Sequence, residues 1–354
     1  MEWFADRGHD ITVLTVEPWE HLVSARIHQI DLNVALKMRK LGRLVSVIRM
    51  LVLLHRLGPD VVHVHYVRGL AWGLLLSRYH PCVMTPWGSD VLKEQGAFRE
   101  WYSKSLTQRT LRTGDLITVH SSYMEARVRK LLPTALIDRI GWGVDLRQFR
   151  PGLDTKALRK QWEIGEERRI IFSPRLAQPF YQHHQIIEAL PAIKQKIPTA
   201  LLVITEQFAD QSYVAALRQL ASQLKVTDCV KFVGSIPYQQ MPYWLNSADT
   251  VVMLPQSDGM PNTLLEAMAC GTLPVLNRLP QYDELVSHGL NGFFTNPVPR
   301  DVAAVLVETL GNSDLKKEMA IRNRKKMMEV ADQDREMTKM EDWYSRLANR
   351  ERAR

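Results

Sequence analysis

Short apolar runs alternate with longer amphipathic segments through the first half of the chain. The apolar runs are predicted strands and cover residues 11–16, 59–65, 82–85 and 116–119. The segments between them carry apolar residues at helical spacing, notably in residues 36–57, 70–79 and 94–113. Strands that alternate with helices in this way predict an α/β fold with a doubly wound parallel sheet.

The same alternation restarts after residue 168. Predicted strands cover residues 170–173, 200–204, 230–233, 250–254 and 273–276, and predicted helices cover 184–196 and 213–224. Residues 149–168 begin with Phe-Arg-Pro-Gly and end in a charged run, which is typical of a linker. We therefore predict a first domain at 1–148, a linker at 149–168, a second domain at 169–330 and a helical tail at 331–354. A return of this tail to the first domain is one open arrangement.

Length and composition agree with two domains. A chain of 354 residues that is 45% hydrophobic is long enough to form two cores. The three cysteines lie far apart, so neither a disulfide framework nor a zinc site is expected. We predict no bound metal and no cofactor.

The start of the chain carries two expectations. It shows no basic and apolar leader, and no run of 18 apolar residues follows, so neither a signal peptide nor a transmembrane helix is expected. The few, widely spaced cysteines favour a cytoplasmic protein. Residues 1–8 are typical of the end of a helix that closes at Gly8. A doubly wound domain normally opens with a strand, a loop and then such a helix. The chain is therefore predicted to be short at its N-terminus and to lack the first strand and its glycine-rich loop.

The net charge of +8 is concentrated in the first half. Residues 1–150 hold 21 Lys and Arg against 14 Asp and Glu, whereas the remaining residues hold 25 against 24. Such an excess favours an anionic partner, either nucleic acid or an anionic membrane surface. Nucleic acid is disfavoured because the cations are not interleaved with aromatic residues and no nucleic-acid motif occurs.

Much of this charge falls in the predicted helix at 36–57. Its cations are Lys37, Arg39, Lys40, Arg43, Arg49 and Arg56, and its apolar stripe at helical spacing is Leu41, Leu44, Val45, Ile48, Leu51 and Val52. Two interpretations stay open. The helix could pack on the sheet with solvated cations, or it could lie on an anionic membrane surface and make the protein peripheral at the inner face of a membrane.

The stretch at 257–271, Ser-Asp-Gly-Met-Pro-Asn-Thr-Leu-Leu-Glu-Ala-Met-Ala-Cys-Gly, carries the clearest chemistry. Its carboxylates Asp258 and Glu266 bracket a helix start at the carboxyl end of a strand, where open α/β sheets bind ligands. Free amides and the dipole at a helix start favour an anion. The stretch predicts a site for a diphosphate-linked donor with hydroxyl groups on both sides of the phosphates. The alternative is that both carboxylates merely complement the helix dipole.

Several ordered blocks resemble the retaining glycosyltransferases of family GT4. The matching blocks are residues 7–15, 59–65, 143–151, Arg175 with Leu176, 232–234, 248–249 and the E-x7-E signature at 258–266, in which Asp258 replaces the first Glu. The resemblance covers nearly the whole chain. It implies the GT-B fold, in which two Rossmann-like domains face each other across a cleft.

The resemblance also implies roles for matching positions. Glu266 would bind the ribose hydroxyls of a nucleotide sugar, and Asp258 would contact hydroxyls of the transferred sugar. Arg175 would neutralise the leaving diphosphate, for which guanidinium geometry is well suited. These three residues form the implied catalytic set. The implied donor-binding residues are Arg175, Asp258, Gly259, Pro261, Asn262, Thr263, Leu264 and Glu266.

The chain departs from the family pattern at two places within its length. The Lys-Gly pair that usually follows the Arg by five to six residues is replaced by Phe180 and Tyr181, so one phosphate-binding cation is absent unless His183, His184 or another basic residue substitutes. A His that often follows the strand at 82–85 is replaced by Trp87. Both changes fall in regions implied to contact substrate.

Three residues at or after the carboxyl ends of predicted strands are candidates for the acceptor side, namely His65, Trp87 and Asp90. For two of them the sequence also allows a purely structural role. His65 shares a strand face with His63 and could simply be packed. Asp90 could cap the next helix instead of orienting an acceptor hydroxyl.

Taken together, the resemblance implies transfer of a sugar from a nucleotide-diphosphate donor to a saccharide or lipid-linked acceptor with retained configuration. Cell-surface polysaccharide or glycolipid synthesis would be the setting. Two alternatives stay open. One is a non-catalytic GT-B partner subunit of a polysaccharide assembly complex, and the other is a nucleotide-sugar epimerase.

Overall fold

A computed structural model describes residues 1–16, 24–33, 39–77, 79–92 and 97–352. The chain forms two compact units. Unit 1 comprises Met1–Gly141 together with Asp334–Arg354, and unit 2 comprises Trp142–Gln333. The division thus falls seven residues before the boundary predicted at 148, and the segment predicted as a linker lies within unit 2. The final helical segment groups with unit 1.

The elements of residues 1–141 are six helices and six strands within the described ranges. The helices are α1 (Glu2–Asp6), α2 (Arg39–Leu57), α3 (Leu74–Ser77), α4 (Ser89–Leu92), α5 (Ala97–Leu111) and α6 (Ser122–Leu131). The strands are β1 (Ile11–Thr15), β2 (Ile27–Asp31), β3 (Val62–His65), β4 (Cys82–Thr85), β5 (Leu116–Val119) and β6 (Ile137–Arg139). A 3-10 turn at Gly69–Gly73 precedes α3 and occupies the first half of the helix predicted at 70–79.

Strands β3 to β6 of unit 1 form a parallel sheet in sequential order, and β1 pairs with β2 as a separate parallel pair. Strand β2 was not predicted, because its residues, Ile-His-Gln-Ile-Asp, lack a continuous apolar run. Strand β6, which has only three residues, was not predicted either. Tail residue Leu347 packs in an apolar cluster with Val83 and Leu116, so α14 (Gln333–Arg352) belongs to this core.

Helix α2 buries a face other than its apolar stripe. Met50 and Leu54 are 7% and 6% exposed and pack in the core of unit 1, while the buried Ser46 donates to the Leu32 carbonyl over 2.8 Å. By contrast, the stripe residues Leu41, Leu44, Ile48 and Val52 are 46%, 55%, 51% and 44% exposed. The helical period therefore located an apolar stripe correctly but did not reveal that most of it faces outward. Residues 36–38 of the predicted helix lie outside the described residues.

The elements of the rest of the chain follow in order. The helices are α7 (Lys156–Gln161), α8 (His183–Lys196), α9 (Gln211–Gln223), α10 (Met241–Ser247), α11 (Asn262–Ala269), α12 (Pro299–Gly311), α13 (Ser313–Val330) and α14. The strands are β7 (Arg169–Ser173), β8 (Ala200–Thr205), β9 (Val230–Val233), β10 (Thr250–Met253), β11 (Leu273–Asn277) and β12 (Phe293–Thr295).

Unit 2 contains a six-stranded parallel sheet in the order β12-β11-β10-β7-β8-β9. The chain runs outward from β7 in one direction to β9, and then returns to start again at β10 beside β7. This is the doubly wound order in which the strand sequence reverses between the first and the fourth strand. Ligands bind such sheets outside the carboxyl ends of the strands at this reversal, so the ends of β7 and β10 mark the expected site.

Both faces of this sheet are covered. Along β7, Ile170 and Phe172 pack in one apolar cluster while Ile171 packs in another. Successive strand residues point to opposite faces, and burial of both faces is typical of a parallel sheet flanked by helices. In the predicted linker, Leu158 of α7 and Ile164 also join the first cluster, which explains why this segment is part of unit 2.

Candidate active site

The loops after β7 and β10 meet at the reversal point of the unit 2 sheet. The amide of Gln256 donates to the Phe180 carbonyl over 3.0 Å, and Gln182 Nε2 donates to the Leu254 carbonyl over 2.8 Å. The two loops carry Arg175 and Asp258, which lie far apart in sequence. Parallel neighbouring strands end at the same sheet edge, so this geometry brings the predicted donor-binding residues together.

The guanidinium of Arg175 is held on three sides. It forms a salt bridge with Asp258 at 3.0 Å and donates from Nη1 to Thr263 Oγ1 over 3.2 Å. Its carbon Cζ lies 4.7 Å from the ring centre of Tyr181, and Nη2 lies 3.4 Å from the Tyr181 hydroxyl. Both partners of the salt bridge are largely buried, with side chains 15% and 14% exposed. The positive charge is therefore fixed in place, as stabilisation of a leaving anion requires.

The carboxylate of Asp258 is also engaged by neutral donors. Tyr282 donates its hydroxyl to Oδ2 over 3.0 Å, and the Gly259 amide donates to Oδ1 over 2.9 Å. Gln281 binds the Asp258 carbonyl over 2.6 Å. This arrangement makes Asp258 an anchor for Arg175. The predicted contact with sugar hydroxyls stays a prediction.

Helix α11 begins beside Arg175 with its amides available. Its N-cap residue, Pro261, has no side-chain cap, and the first residues of any helix lack an intrahelical acceptor for their amides. Asn262 is exposed and Thr263 is half-buried, whereas Leu264 is buried and donates its amide to the Pro261 carbonyl over 3.0 Å. The amides of Asn262 and Thr263 are thus the ones suited to an anion, and Leu264 instead anchors the turn.

Glu266 lies one turn further along α11 and is only 5% exposed. Tyr238 donates its hydroxyl to Glu266 Oε1 over 3.1 Å. Burial raises the pKa of Glu266 to about 7, and the hydrogen bond from Tyr238 partly opposes this rise. A buried carboxylate with one neutral donor retains unused acceptor capacity, which suits recognition of hydroxyl groups.

The departures at 180 and 181 have a clear local consequence. Tyr181, which stands at the usual Gly position, supplies the ring under Arg175. His183 does not supply the missing positive charge, because burial lowers its pKa to about 4 and keeps the ring neutral. His184 Nδ1 pairs with the Tyr213 hydroxyl at 2.9 Å. Arg175 is therefore the cation that the described structure places at the start of α11.

Three tyrosines contact the predicted residues of this site, and the sequence predicted none of these contacts, although position 181 was already noted as a departure from the family pattern. Tyr181 contacts Arg175, Tyr282 contacts Asp258, and Tyr238 contacts Glu266. All three come from 3-10 turns that follow strands, at Pro179–Tyr181 after β7, at Tyr238–Gln240 after β9 and at Pro280–Glu284 after β11. Their position after parallel strands was the one available signal, and no pattern in the sequence pairs them with the carboxylates.

Two acceptor-side candidates lie at the carboxyl ends of neighbouring strands in unit 1. His65 ends β3 and Trp87 follows β4, and their ring centres are 6.1 Å apart in an edge-on arrangement. His65 also stacks on His63 at 4.1 Å. Trp87 is 53% exposed. Together they form an aromatic surface at the end of the sheet.

Asp90, the third candidate, is fully buried and binds backbone amides. Its carboxylate accepts from Val67 over 2.8 Å, from Gly88 over 2.9 Å and from Trp87 over 3.0 Å. Burial raises the pKa of this carboxyl group, while these amides oppose the rise. The carboxylate is committed to joining the loops after β3 and β4, so its geometry does not support an acceptor role.

The described residues contain neither a metal-binding cluster nor a membrane-spanning helix. No cluster of three or more His, Cys, Asp or Glu side chains within the described ranges is arranged to hold a metal ion. None of the described helices combines the length and apolar content needed to cross a bilayer.

Two family profiles match the chain. The profile of "Glycosyl transferases group 1" matches residues 154–327, which contain the whole donor-side site. The profile of "Glycosyl transferase 4-like" matches residues 1–121. Together the two matches cover most of the chain and agree with the blocks identified in the sequence.

Similar proteins agree with these profiles. The chain is 28% identical over 222 residues to a GDP-mannose-dependent alpha-(1-6)-phosphatidylinositol monomannoside mannosyltransferase of Mycobacterium tuberculosis, covering 60% of the chain and 57% of the relative. It is 26% identical over 252 residues to a D-inositol 3-phosphate glycosyltransferase of Pseudarthrobacter chlorophenolicus, covering 67% and 59%. The alignments thus span little more than half the length of these relatives.

Solved structures resemble the fold over more of the chain. Sucrose-phosphate synthase from Thermosynechococcus elongatus superposes with a TM-score of 0.81 at 19% identity, covering 97% of this chain and 90% of that one. Anabaena HepE in complex with UDP and glucose gives 0.76 at 19% identity, covering 91% and 86%. The chain belongs to the group 1 glycosyltransferases of family GT4 and has the GT-B fold.

Proposed function

We propose that this protein transfers a sugar from a nucleoside-diphosphate donor to a saccharide or lipid-linked acceptor, with retention of configuration and without a metal ion. One observation carries the proposal. A fixed guanidinium, a helix start with available amides and a buried carboxylate converge where the unit 2 sheet reverses its strand order. These groups match the phosphate and ribose parts of a sugar nucleotide.

The donor would lie along the start of α11. Its diphosphate would accept hydrogen bonds from the Asn262 and Thr263 amides and from Arg175, and its ribose hydroxyls would donate to Glu266. The helix dipole adds to this attraction for an anion. Arg175 would act most strongly at the moment of transfer, because the diphosphate gains negative charge as it leaves.

A front-face reaction suits these residues. The bond between the sugar C1 and the diphosphate oxygen breaks, and the acceptor oxygen forms a new bond to C1 on the same face. The acceptor proton passes to the departing phosphate oxygen, so atoms and charge balance without a protein nucleophile. Arg175 and the α11 amides hold the leaving group beside C1 while this occurs.

The relatives suggest which donors to test first. The Mycobacterium tuberculosis relative is named as GDP-mannose-dependent, and HepE was solved with UDP and glucose. GDP-mannose and UDP-glucose are therefore the first donors for this chain. The name of the Mycobacterium tuberculosis relative also includes phosphatidylinositol monomannoside, which favours a lipid-linked acceptor and glycolipid synthesis.

A peripheral position at the cytoplasmic face of a membrane would suit such an acceptor. The outward stripe of α2 is apolar, and the exposed Arg49 and Arg56 lie on the same helix. An amphipathic helix of this kind binds an anionic bilayer by burying its apolar residues while its cations face lipid headgroups. We propose that α2 is the membrane contact.

The donor screen measures nucleotide release from GDP-mannose and UDP-glucose with and without an acceptor mixture extracted from membranes. Release that depends on the acceptor supports the transferase. Consumption of donor without acceptor would instead assign an epimerase. Absence of nucleotide binding by calorimetry would contradict the proposal and favour a non-catalytic partner subunit. The sequence feature that supports this alternative is the replacement of the usual Lys-Gly pair by Phe180 and Tyr181.

A further inference from the structure

A tyrosine hydroxyl lies on the buried carboxylate at the donor side of unit 2. Tyr238 donates to Glu266 Oε1 over 3.1 Å, and Glu266 is 5% exposed. We propose that Tyr238 is a positioning residue for the donor ribose, because its hydroxyl favours the carboxylate form of Glu266 and orients it so that Oε2 accepts the ribose hydroxyls. The inference rests on the proposed function, since it requires Glu266 to be the ribose-binding group.

The tyrosine is itself held in position. Pro237 precedes it and starts the 3-10 turn that leads into α10, which restricts the backbone at this point. Its ring packs on Phe149 with ring centres 5.5 Å apart, and Phe149 is fully buried. Tyr238 remains 54% exposed on its other side. The hydroxyl is thus aimed at Glu266 by packing against a rigid neighbour, with room left beside it for a ligand.

No cation among the described residues takes the place of Tyr238 in orienting Glu266. Within the described residues, Glu266 has no ion pair. Arg324 of α13 is the nearby cation that acts on Cys270, but it donates to the carbonyls of Leu146, Phe149 and Ala269. Among the described residues, two further titratable groups act on the pair: Cys270, which directly follows α11 and interacts with Glu266, and Asp145, which acts on Tyr238.

The chemistry of the pair gives a direction for pH. Burial and the nearby Glu266 carboxylate raise the pKa of Tyr238, so its hydroxyl stays protonated and able to donate. A hydrogen bond donated to a carboxylate favours the ionised form. Burial raises the pKa of Glu266 to about 7 even with this bond in place. Loss of the bond would raise it further, and a protonated Glu266 accepts fewer hydrogen bonds from ribose.

The test compares nucleotides with and without ribose hydroxyls. Calorimetry measures the Kd of UDP and GDP, and of their 2′,3′-dideoxy forms, for the wild type, Tyr238→Phe and Tyr243→Phe between pH 6 and 9. Tyr238→Phe keeps the ring that packs on Phe149. Tyr243 is exposed on the neighbouring α10 and serves as the matched control.

We expect the wild type to prefer the ribonucleotide, with affinity that rises as pH increases through about 7. Tyr238→Phe should lower this preference about tenfold at pH 7, the order expected for loss of a hydrogen bond to a charged group. It should also move the pH midpoint upward, while Tyr243→Phe leaves both unchanged. If Tyr238→Phe weakens the binding of the ribose and dideoxy forms equally, Tyr238 has only a structural role and the inference is overturned.

The outcomes separate this inference from the proposed function. If the wild type binds neither nucleotide, or binds ribo and dideoxy forms equally, the ribose role of Glu266 fails and the proposal for Tyr238 fails with it. If Glu266→Ala loses the ribose preference but Tyr238→Phe keeps both the preference and the pH midpoint, only the inference about Tyr238 is overturned.

Discussion

Arg175 and Asp258 form a salt bridge of 3.0 Å between the ends of two neighbouring parallel strands, although 83 positions separate them in the sequence. Both side chains are about 15% exposed. A pair buried to this degree is costly to break from one side, because the remaining charge stays desolvated. The pair therefore fixes the cation of the donor side before any substrate arrives.

Replacing the anchor should loosen that cation. In Asp258→Asn the charge that holds Arg175 is lost while the size of the side chain is kept. We expect kcat to fall by about 10- to 100-fold, since a misplaced guanidinium stabilises the leaving diphosphate less well. Steady-state kinetics with the donor identified in the screen measures this. The exposed pair between Asp228 and Lys194 offers a control, and Asp228→Asn should leave kcat unchanged.

A lysine at position 175 should not take over the role of the arginine. An ammonium keeps the charge but cannot contact Asp258 and Thr263 together in the fork that Arg175 provides. We expect Arg175→Lys to reduce kcat/KM by about 100-fold or more. Arg169→Lys, at the other end of the same strand and 48% exposed, is the matched control. Equal activity of the two variants would show that fixed geometry at 175 is unimportant.

Glu266 should couple stability to pH. Its ordinary pKa is about 4.5 in the unfolded chain, and burial raises it to about 7 in the folded chain. Between these values the folded state keeps a proton that the unfolded state has lost, so the free energy of unfolding decreases as pH rises through this window. The total loss attributable to Glu266 is roughly 3 kcal/mol above pH 7.

The variant Glu266→Gln cannot ionise and should escape this loss. Denaturant titration should find it more stable than the wild type at pH 8 but close to the wild type at pH 4.5, even though its nucleotide binding is weakened. Glu308→Gln, at an exposed position of α12, is the matched control. If the difference in stability between Glu266→Gln and the wild type is the same at pH 8 and pH 4.5, the raised pKa of Glu266 is contradicted.

The outward stripe of α2 predicts binding to anionic vesicles. Each Arg near an anionic surface contributes about 1 kcal/mol, so Arg49→Gln with Arg56→Gln should weaken partitioning by about 30-fold. Leu44→Ser with Ile48→Ser should weaken it further by removing buried apolar area. Co-sedimentation with phosphatidylglycerol vesicles measures both. The control Leu76→Ser, at a residue of α3 that is 74% exposed, should bind as the wild type does. Binding that is unaffected by changes in α2 would place the contact elsewhere.

Local patterns predicted several strands and the helix start of the candidate site. The strands at 82–85 and 116–119 are found at the predicted bounds, because short, mostly apolar runs are typical of strands buried on both faces. The helix start after β10 also agrees with the turn signals around Pro261. These features depend on residues adjacent in sequence, which is why a single sequence reveals them.

Features that depend on tertiary pairing were not predictable in the same way. The contact of Tyr238 with Glu266 joins two loops through the fold, and no spacing rule connects them. Leu44 points outward because a different face of α2 packs against the core of unit 1. Helical periodicity does not show which face of a helix is buried. Asp90 was ambiguous for the same reason, since only its three backbone partners reveal its role.

The most direct test of the central claim is acceptor-dependent nucleotide release by the wild type, Glu266→Ala and Arg175→Ala with GDP-mannose and UDP-glucose as donors. We expect release by the wild type with one of these donors, and a loss of at least 100-fold in both variants at unchanged circular dichroism. Undiminished release by either variant would contradict the assignment of the donor site to the start of α11.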